Sequence, residues 1–97
     1  MLTGKQRSYL KGLAHNLDPI FHLGKSGFSE NFIRQVDEAL ETRELIKINI
    51  LQNCDLDAKE SAINLCEELS CEFVQSIGNR FVFYRESEKN KKIQLPK

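Results

Sequence analysis

Two runs of β-branched and aromatic residues, Phe73-Val74-Gln75-Ser76-Ile77 and Arg80-Phe81-Val82-Phe83-Tyr84-Arg85, stand two residues apart across Gly78-Asn79. No other feature constrains this chain as much. Glycine supplies the positive φ that tight primed turns require, so the two runs predict an antiparallel β-hairpin. A lone hairpin is marginal in water, and its apolar side must be covered by further strands and by helices.

The residues before the hairpin can supply that cover. Thr3 with Gln6 forms a capping box that opens a first helix, with Leu10, Leu13, Ala14 and Leu17 on one face. Pro19 forces the helix to end before it. Residues 19–23, Pro-Ile-Phe-His-Leu, form a short apolar run between proline and glycine, which predicts a brief strand with the proline at its first position. Ser29 caps a second helix with an apolar stripe of Phe32, Ile33, Val36, Ala39 and Leu40; Glu30, Arg34, Asp37, Glu38 and Glu41 occupy its other face. Residues 45–51 alternate Ile46, Ile48 and Ile50 with Lys47 and Asn49, the pattern of a half-buried strand. Asp57 with Glu60 opens a third helix that buries Ala62, Ile63, Cys66 and Leu69.

The order α-β-α-β-α-β-β predicts an α/β (α+β) single domain, a four-stranded mixed sheet with helices packed on it. Right-handed crossovers place the start of the second helix at the carboxyl end of the first strand. A chain of 97 residues, 40% hydrophobic and 29% charged, suits one core and needs no partner to fold, so a monomer is expected. The domain is expected over residues 1–86, and the polar, basic residues 87–97 are expected to form a flexible tail.

Several function classes drop out. The amino terminus turns polar at once and no stretch approaches the ~20 apolar residues of a membrane span, so a cytoplasmic protein with no membrane partner is expected. Cys54, Cys66 and Cys71 are odd in number and lack a CxxC pair or a nearby histidine, which argues against a disulfide framework and a zinc site. Capping accounts for Asp57 without a metal. No nucleophile has a histidine base near it and no carboxylate pair stands on an apolar face, so the chain is not expected to be an enzyme, to carry a cofactor or to take a small-molecule substrate.

The formal net charge of zero hides a segregation. Residues 1–27 carry Lys5, Arg7, Lys11 and Lys25 against Asp18, and from residue 73 onward Arg80, Arg85, Lys89, Lys91, Lys92 and Lys97 face only Glu86 and Glu88. The stretch between is acidic. If folding brings the two basic ends together, one face becomes positive, and local potential governs binding more than the sum does. Between the first strand and the second helix lies Gly24-Lys25-Ser26-Gly27. Glycines let a backbone approach closely, a helix start directs unpaired amides outward, and Lys25 adds a full positive charge, a combination suited to phosphate. It is not a P-loop, since Pro19 stands where that motif needs its first glycine.

Four blocks, Leu13-Ala14-His15 with Leu17 and Pro19, Leu23-Gly24-Lys25-Ser26-Gly27, Glu44-Leu45-Ile46-Lys47, and Val74-Gln75-Ser76-Ile77-Gly78 with Tyr84-Arg85, occur in this order over residues 2 to 86. Together they resemble the CRM-domain family (chloroplast RNA splicing and ribosome maturation), in particular its stand-alone bacterial members of the YhbY type. The resemblance implies a fold similar to the carboxyl-terminal domain of translation initiation factor three, a GxxG loop that contributes to RNA binding, and a partner in rRNA of large-subunit precursors during ribosome assembly. The loop carries over onto Gly24, Lys25, Ser26 and Gly27. Arg7, Lys11 and His15 recur along the first helix, and Arg80 and Arg85 flank the last strand; these complete the expected RNA-binding set. Each of the five has a structural alternative, a solvated helix flank for the first three and pairing with an acidic side chain of the sheet for the arginines. His22 reads as an exposed strand residue, and Tyr9, Phe28 and Tyr84 as packing aromatics. The competing function is a protein-interaction adaptor on ribosomal particles that uses the acidic face of the second helix.

Overall fold

The computed structural model describes residues 2–23, 29–50 and 58–96. Helix α1 (Gly4–Ala14) leads to β1 (Phe21–Leu23), α2 (Glu30–Arg43), β2 (Leu45–Ile50), α3 (Ala58–Leu69), β3 (Glu72–Ile77) and β4 (Arg80–Tyr84). Each expected element is present. The sheet runs β1-β2-β4-β3, with β1 parallel to β2 and β4 antiparallel to both of its neighbours. Strand β3 therefore runs parallel to β2 with β4 inserted between them, a split β-α-β arrangement.

Local chemistry sets the element ends. Thr3 Oγ1 accepts from Gln6 N at 3.1 Å while Gln6 Oε1 accepts from Thr3 N at 3.1 Å, the full capping box. Ser29 Oγ accepts from Phe32 N at the start of α2. Thr3→Ala should cost about 1 kcal/mol of stability, read as a lower denaturant midpoint at unchanged slope. At the hairpin, Gly78 takes φ 56° and Ile77 pairs with Arg80, as the two-residue turn requires. The first strand starts at Phe21 rather than at Pro19, although Ile20 N already donates to Lys47 O at 3.0 Å. Asp57, the expected cap of α3, and Cys54 lie outside the described residues.

Two cores flank the sheet. Val36 and Leu40 of α2 and Ala62 and Leu65 of α3 pack on Ile46, Ile48, Phe81 and Phe83. On the opposite side Leu10 and Ala14 of α1 pack on Leu45, Val74, Val82 and Tyr84. The alternation in β2 predicts a half-buried strand, yet the strand is buried along nearly its whole length. Helix α1 covers the face that was expected to meet water, so Lys47 is buried and its ammonium donates to Leu17 O at 2.9 Å. Leu13, Leu17 and Ile63 were placed on apolar stripes but stand exposed. Cys71 is buried and Cys66 packs against the α2/α3 core, both as free thiols.

The segment after Arg85 departs most from expectation. It makes hydrogen bonds and packing contacts across the end of the sheet. The Glu44 carboxylate, fully buried, accepts from Ser87 N at 2.8 Å, Lys92 N at 2.5 Å and Ile93 N at 2.7 Å. Glu41 accepts from Ser87 Oγ at 2.7 Å and from the amides of Glu88 and Lys89 at 3.1 Å. Ile93 and Leu95 then pack with Leu2 on the α1 core, and Gln6 Nε2 donates to Pro96 O at 3.1 Å. Composition pointed to disorder because it counts charges; what holds the strap is its backbone amides meeting two carboxylates.

Candidate nucleic-acid interface

Helix α1 is short, and it leaves one end of its side of the sheet open. Three strands present residues there. Asn49 pairs with both His22 of β1 and Arg80 of β4, so the three lie side by side across the sheet on the α1 face. Asn49 Nδ2 lies 3.2 Å from His22 Nδ1, and His22 and Arg80 are exposed. Two strand spacings, about 10 Å, separate His22 from Arg80.

The same end of the sheet leads into the glycine-bracketed tetrapeptide. Leu23, its preceding residue, pairs with Ile50 at the far end of β2, where Ile50 N donates to Asn79 O of the hairpin turn at 2.6 Å. Gly24, Lys25, Ser26 and Gly27 themselves lie outside the described residues, as does Phe28. Their described flanks are Leu23 and Ser29. His15, the carboxyl cap of α1, reaches this end as well: it lines a recess of about 260 Å³ with Lys47, Gln75, Ile77, Arg80 and Val82. Lys11, one helical turn before His15, is exposed.

The two remaining expected residues are engaged inside the fold. Arg7 is half-buried and donates to Phe73 O and, at 3.4 Å, to Val74 O, tying α1 to the start of β3. Arg85 donates to Asp37 Oδ1 at 2.6 Å, Asp37 O at 2.9 Å and Leu69 O at 3.1 Å. It thereby joins α2, the end of α3 and β4. Arg85 thus pairs with an acid, but the acid is Asp37 of α2 rather than a residue of the sheet, and Arg7 found backbone carbonyls rather than a solvated flank.

The basic termini do meet, but at the wrong end for one continuous positive surface. Glu44 precedes the first residue of β2 and the tetrapeptide follows a strand paired with the last, so Lys89, Lys91 and Lys92 lie roughly 17 Å along the sheet from the tetrapeptide's anchor. Lys91 also pairs with Glu86 at 2.6 Å. The cations were expected to converge because their charges were counted by position in the chain; the strap, drawn back by Glu41 and Glu44, decides otherwise. Among the aromatics, Tyr84 is buried, and that burial with the nearby Glu44 and Glu86 carboxylates pushes its phenol up to about 12, while Tyr9 is exposed.

The profile of the CRS1 / YhbY (CRM) domain matches residues 2–85. This chain belongs to that family. Along its length the chain is similar to Probable RNA-binding protein YqeI of Bacillus subtilis, 51% identical over 99% of this chain and 100% of that one. It is similar also to a protein of Haemophilus influenzae named RNA-binding protein, 41% identical over 99% of this chain and 96% of that one. Among solved structures, the solution structure of the Staphylococcus aureus protein SAV1595 superposes with a TM-score of 0.81 at 57% identity, covering 99% of this chain and 100% of that one. Much of what carried the resemblance to CRM domains has a structural use in this member. Glu44 clasps the strap, Lys47 ties β2 to the α1–β1 connection, Ala14 is buried, and Arg85 clamps two helices. His22, Asn49, Gln75 and Ile77 at the open end were not expected as site residues. The pairing of Ile77 with Arg80 was legible in the hairpin, but the shortness of α1 that leaves them uncovered was not. Among the described residues no helix is long and apolar enough to cross a membrane.

Proposed function

We propose that this CRM-domain protein binds RNA, and that its target is rRNA of large-subunit precursors during ribosome assembly in the cytoplasm. It acts as a binding module and not as an enzyme. The observation that carries this reading is the open end of the sheet, where Arg80, Asn49 and His22 lie side by side, with His15 and Arg80 at the recess and His22 on the strand that leads directly into Gly24-Lys25-Ser26-Gly27. The names of its full-length relatives point the same way. Lys25 and the loop amides take phosphate, and Lys11, His15 and Arg80 extend the contact along the RNA. Arg7 and Arg85 support the surface from within. The adaptor reading is weakened by the uses of the α2 acids, since Asp37 holds Arg85 and Glu41 holds the strap.

Charge reversal tests the proposal. Lys25→Glu should weaken RNA binding at least about tenfold and reduce the slope of log affinity against log salt by roughly 0.7 to 0.9. Glu38→Lys, on the exposed face of α2, should leave both unchanged; Asp37 is unsuitable as that control because Arg85 depends on it. The opposite pattern would favour the adaptor. Crosslinking in cells followed by sequencing of attached RNA should recover large-subunit rRNA precursors. Recovery of mRNA alone would remove the assembly role.

A further inference from the structure

Strand β3 carries an irregularity in its pairing with β4. Phe73 pairs with Phe83 and packs in the α2/α3 core, but the next ladder pair is Gln75 with Val82, so Val74 is an extra residue. Val74 packs in the core beneath α1. The bulge resets the alternation, and Gln75 and Ile77, paired with Val82 and Arg80, consequently share the α1 face. An unbulged strand would place Phe73 on that face too. Bulges re-aim side chains and are over-represented beside functional sites.

What the bulge builds is the small recess at the end of α1. Its apolar part is Val82, buried, with Ile77, which at 60% is the most exposed large apolar side chain described. Gln75, Arg80, His15 and Lys47 complete its lining, and no carboxylate-bearing residue lines it among the described residues. At about 260 Å³ it falls below the range of roughly 300 to 1,000 Å³ usual for whole small-molecule ligands. A single flat ring fits that description better.

We infer that this recess accepts one unstacked nucleobase of the RNA, with the ring on Ile77, the Arg80 guanidinium and His15 against it, and the Gln75 amide reading its hydrogen-bonding edge. The inference rests on the RNA-binding reading and sharpens it: the partner is single-stranded or locally unpaired RNA. Splayed bases stack on histidine rings and arginine planes and are read on their edges, which paired bases in an A-form helix do not allow. The charge of the rim suits the flanking phosphates. From the recess the backbone can cross Asn49 and His22 toward the carboxyl end of β1.

The chain contains no tryptophan, so Ile77→Trp places a sole indole at the mouth of the recess, at a position exposed enough to accept it. The full-length variant is titrated with a single-stranded RNA of mixed sequence and with the same RNA annealed as a blunt duplex. The indole emission should be quenched by the single strand and not by the duplex. In the otherwise native chain, Arg80→Ala should weaken single-strand binding about tenfold, and Gln75→Ala should narrow the affinity differences among homopolymeric RNAs. Binding of both RNAs without a quench, or with equal quenching, would overturn the base pocket and leave RNA binding standing. Absence of binding to either RNA by the unaltered protein would remove both readings.

Discussion

Glu44→Ala is expected to destabilise the protein by roughly 2–4 kcal/mol and to free the segment after Arg85. Three backbone amides converge on this one buried carboxylate, and charge-assisted bonds of this kind are the strong ones. The released amides would find water, which keeps the loss below the sum of the three. Glu44 also ends α2 at φ 66°, a left-handed value that strains any residue with a Cβ. Glu44→Gly should therefore be less damaging than Glu44→Ala, and the difference isolates the backbone from the carboxylate. Proteolysis of the strap, fast in both variants and slow in the unaltered chain, reports its release.

The same clasp makes the strap sensitive to acid. Burial pushes the Glu44 carboxyl up, but the amides of Ser87, Lys92 and Ile93 more than offset this and hold it below the ordinary glutamate value. Glu41 is held down chiefly by the Ser87 hydroxyl and then by the Glu88 and Lys89 amides. A carboxyl whose native value is depressed contributes stability that is complete above the unfolded value, about 4.3, and is lost as pH falls through the native one. Stability should thus decline below about pH 4.3 more steeply in the unaltered protein than in Glu44→Gln, in which the titrating group is gone. Parallel declines would show that the clasp does not titrate.

Arg85→Ala should cost about 1–2 kcal/mol while leaving the RNA affinity of the folded protein unchanged. The guanidinium holds the Asp37 carboxylate, the Asp37 carbonyl and the Leu69 carbonyl at once, and its removal leaves a helix end and a carboxylate without their donor. The planar fork sets this geometry, so Arg85→Lys should recover only part of the loss. A drop in RNA affinity without a drop in stability would return Arg85 to the binding surface.

How much could be seen beforehand depended on the range of the interaction concerned. Thr3 with Gln6, Ser29 with Phe32, and Gly78 are contacts within three residues or a single backbone angle, and each was legible. The apolar stripe of α2 was legible too, because one helix meets one core. The burial of Lys47 was not legible, since it depends on α1, which is not its neighbour in the chain. Of the residues expected at the candidate site, the fold brings His15 and Arg80 to one recess, while the tetrapeptide lies outside the described residues. The other half of that recess, Gln75 and Ile77, follows from a bulge that no residue pattern announces.

By itself the amino-acid order determined the elements and their order, the starts of α1 and α2, the hairpin register at Ile77 and Arg80, and the family, because these follow from local dihedral preference and short-range periodicity. Only the folded chain decided which cations are free for a ligand. Arg7 and Arg85 found carbonyls and a carboxylate, and the strap carried its lysines to the far end of the sheet. A charge becomes available or engaged according to the donors and acceptors that distant segments bring within 3 Å, and such long-range pairings are not written in the spacing of residues along the chain.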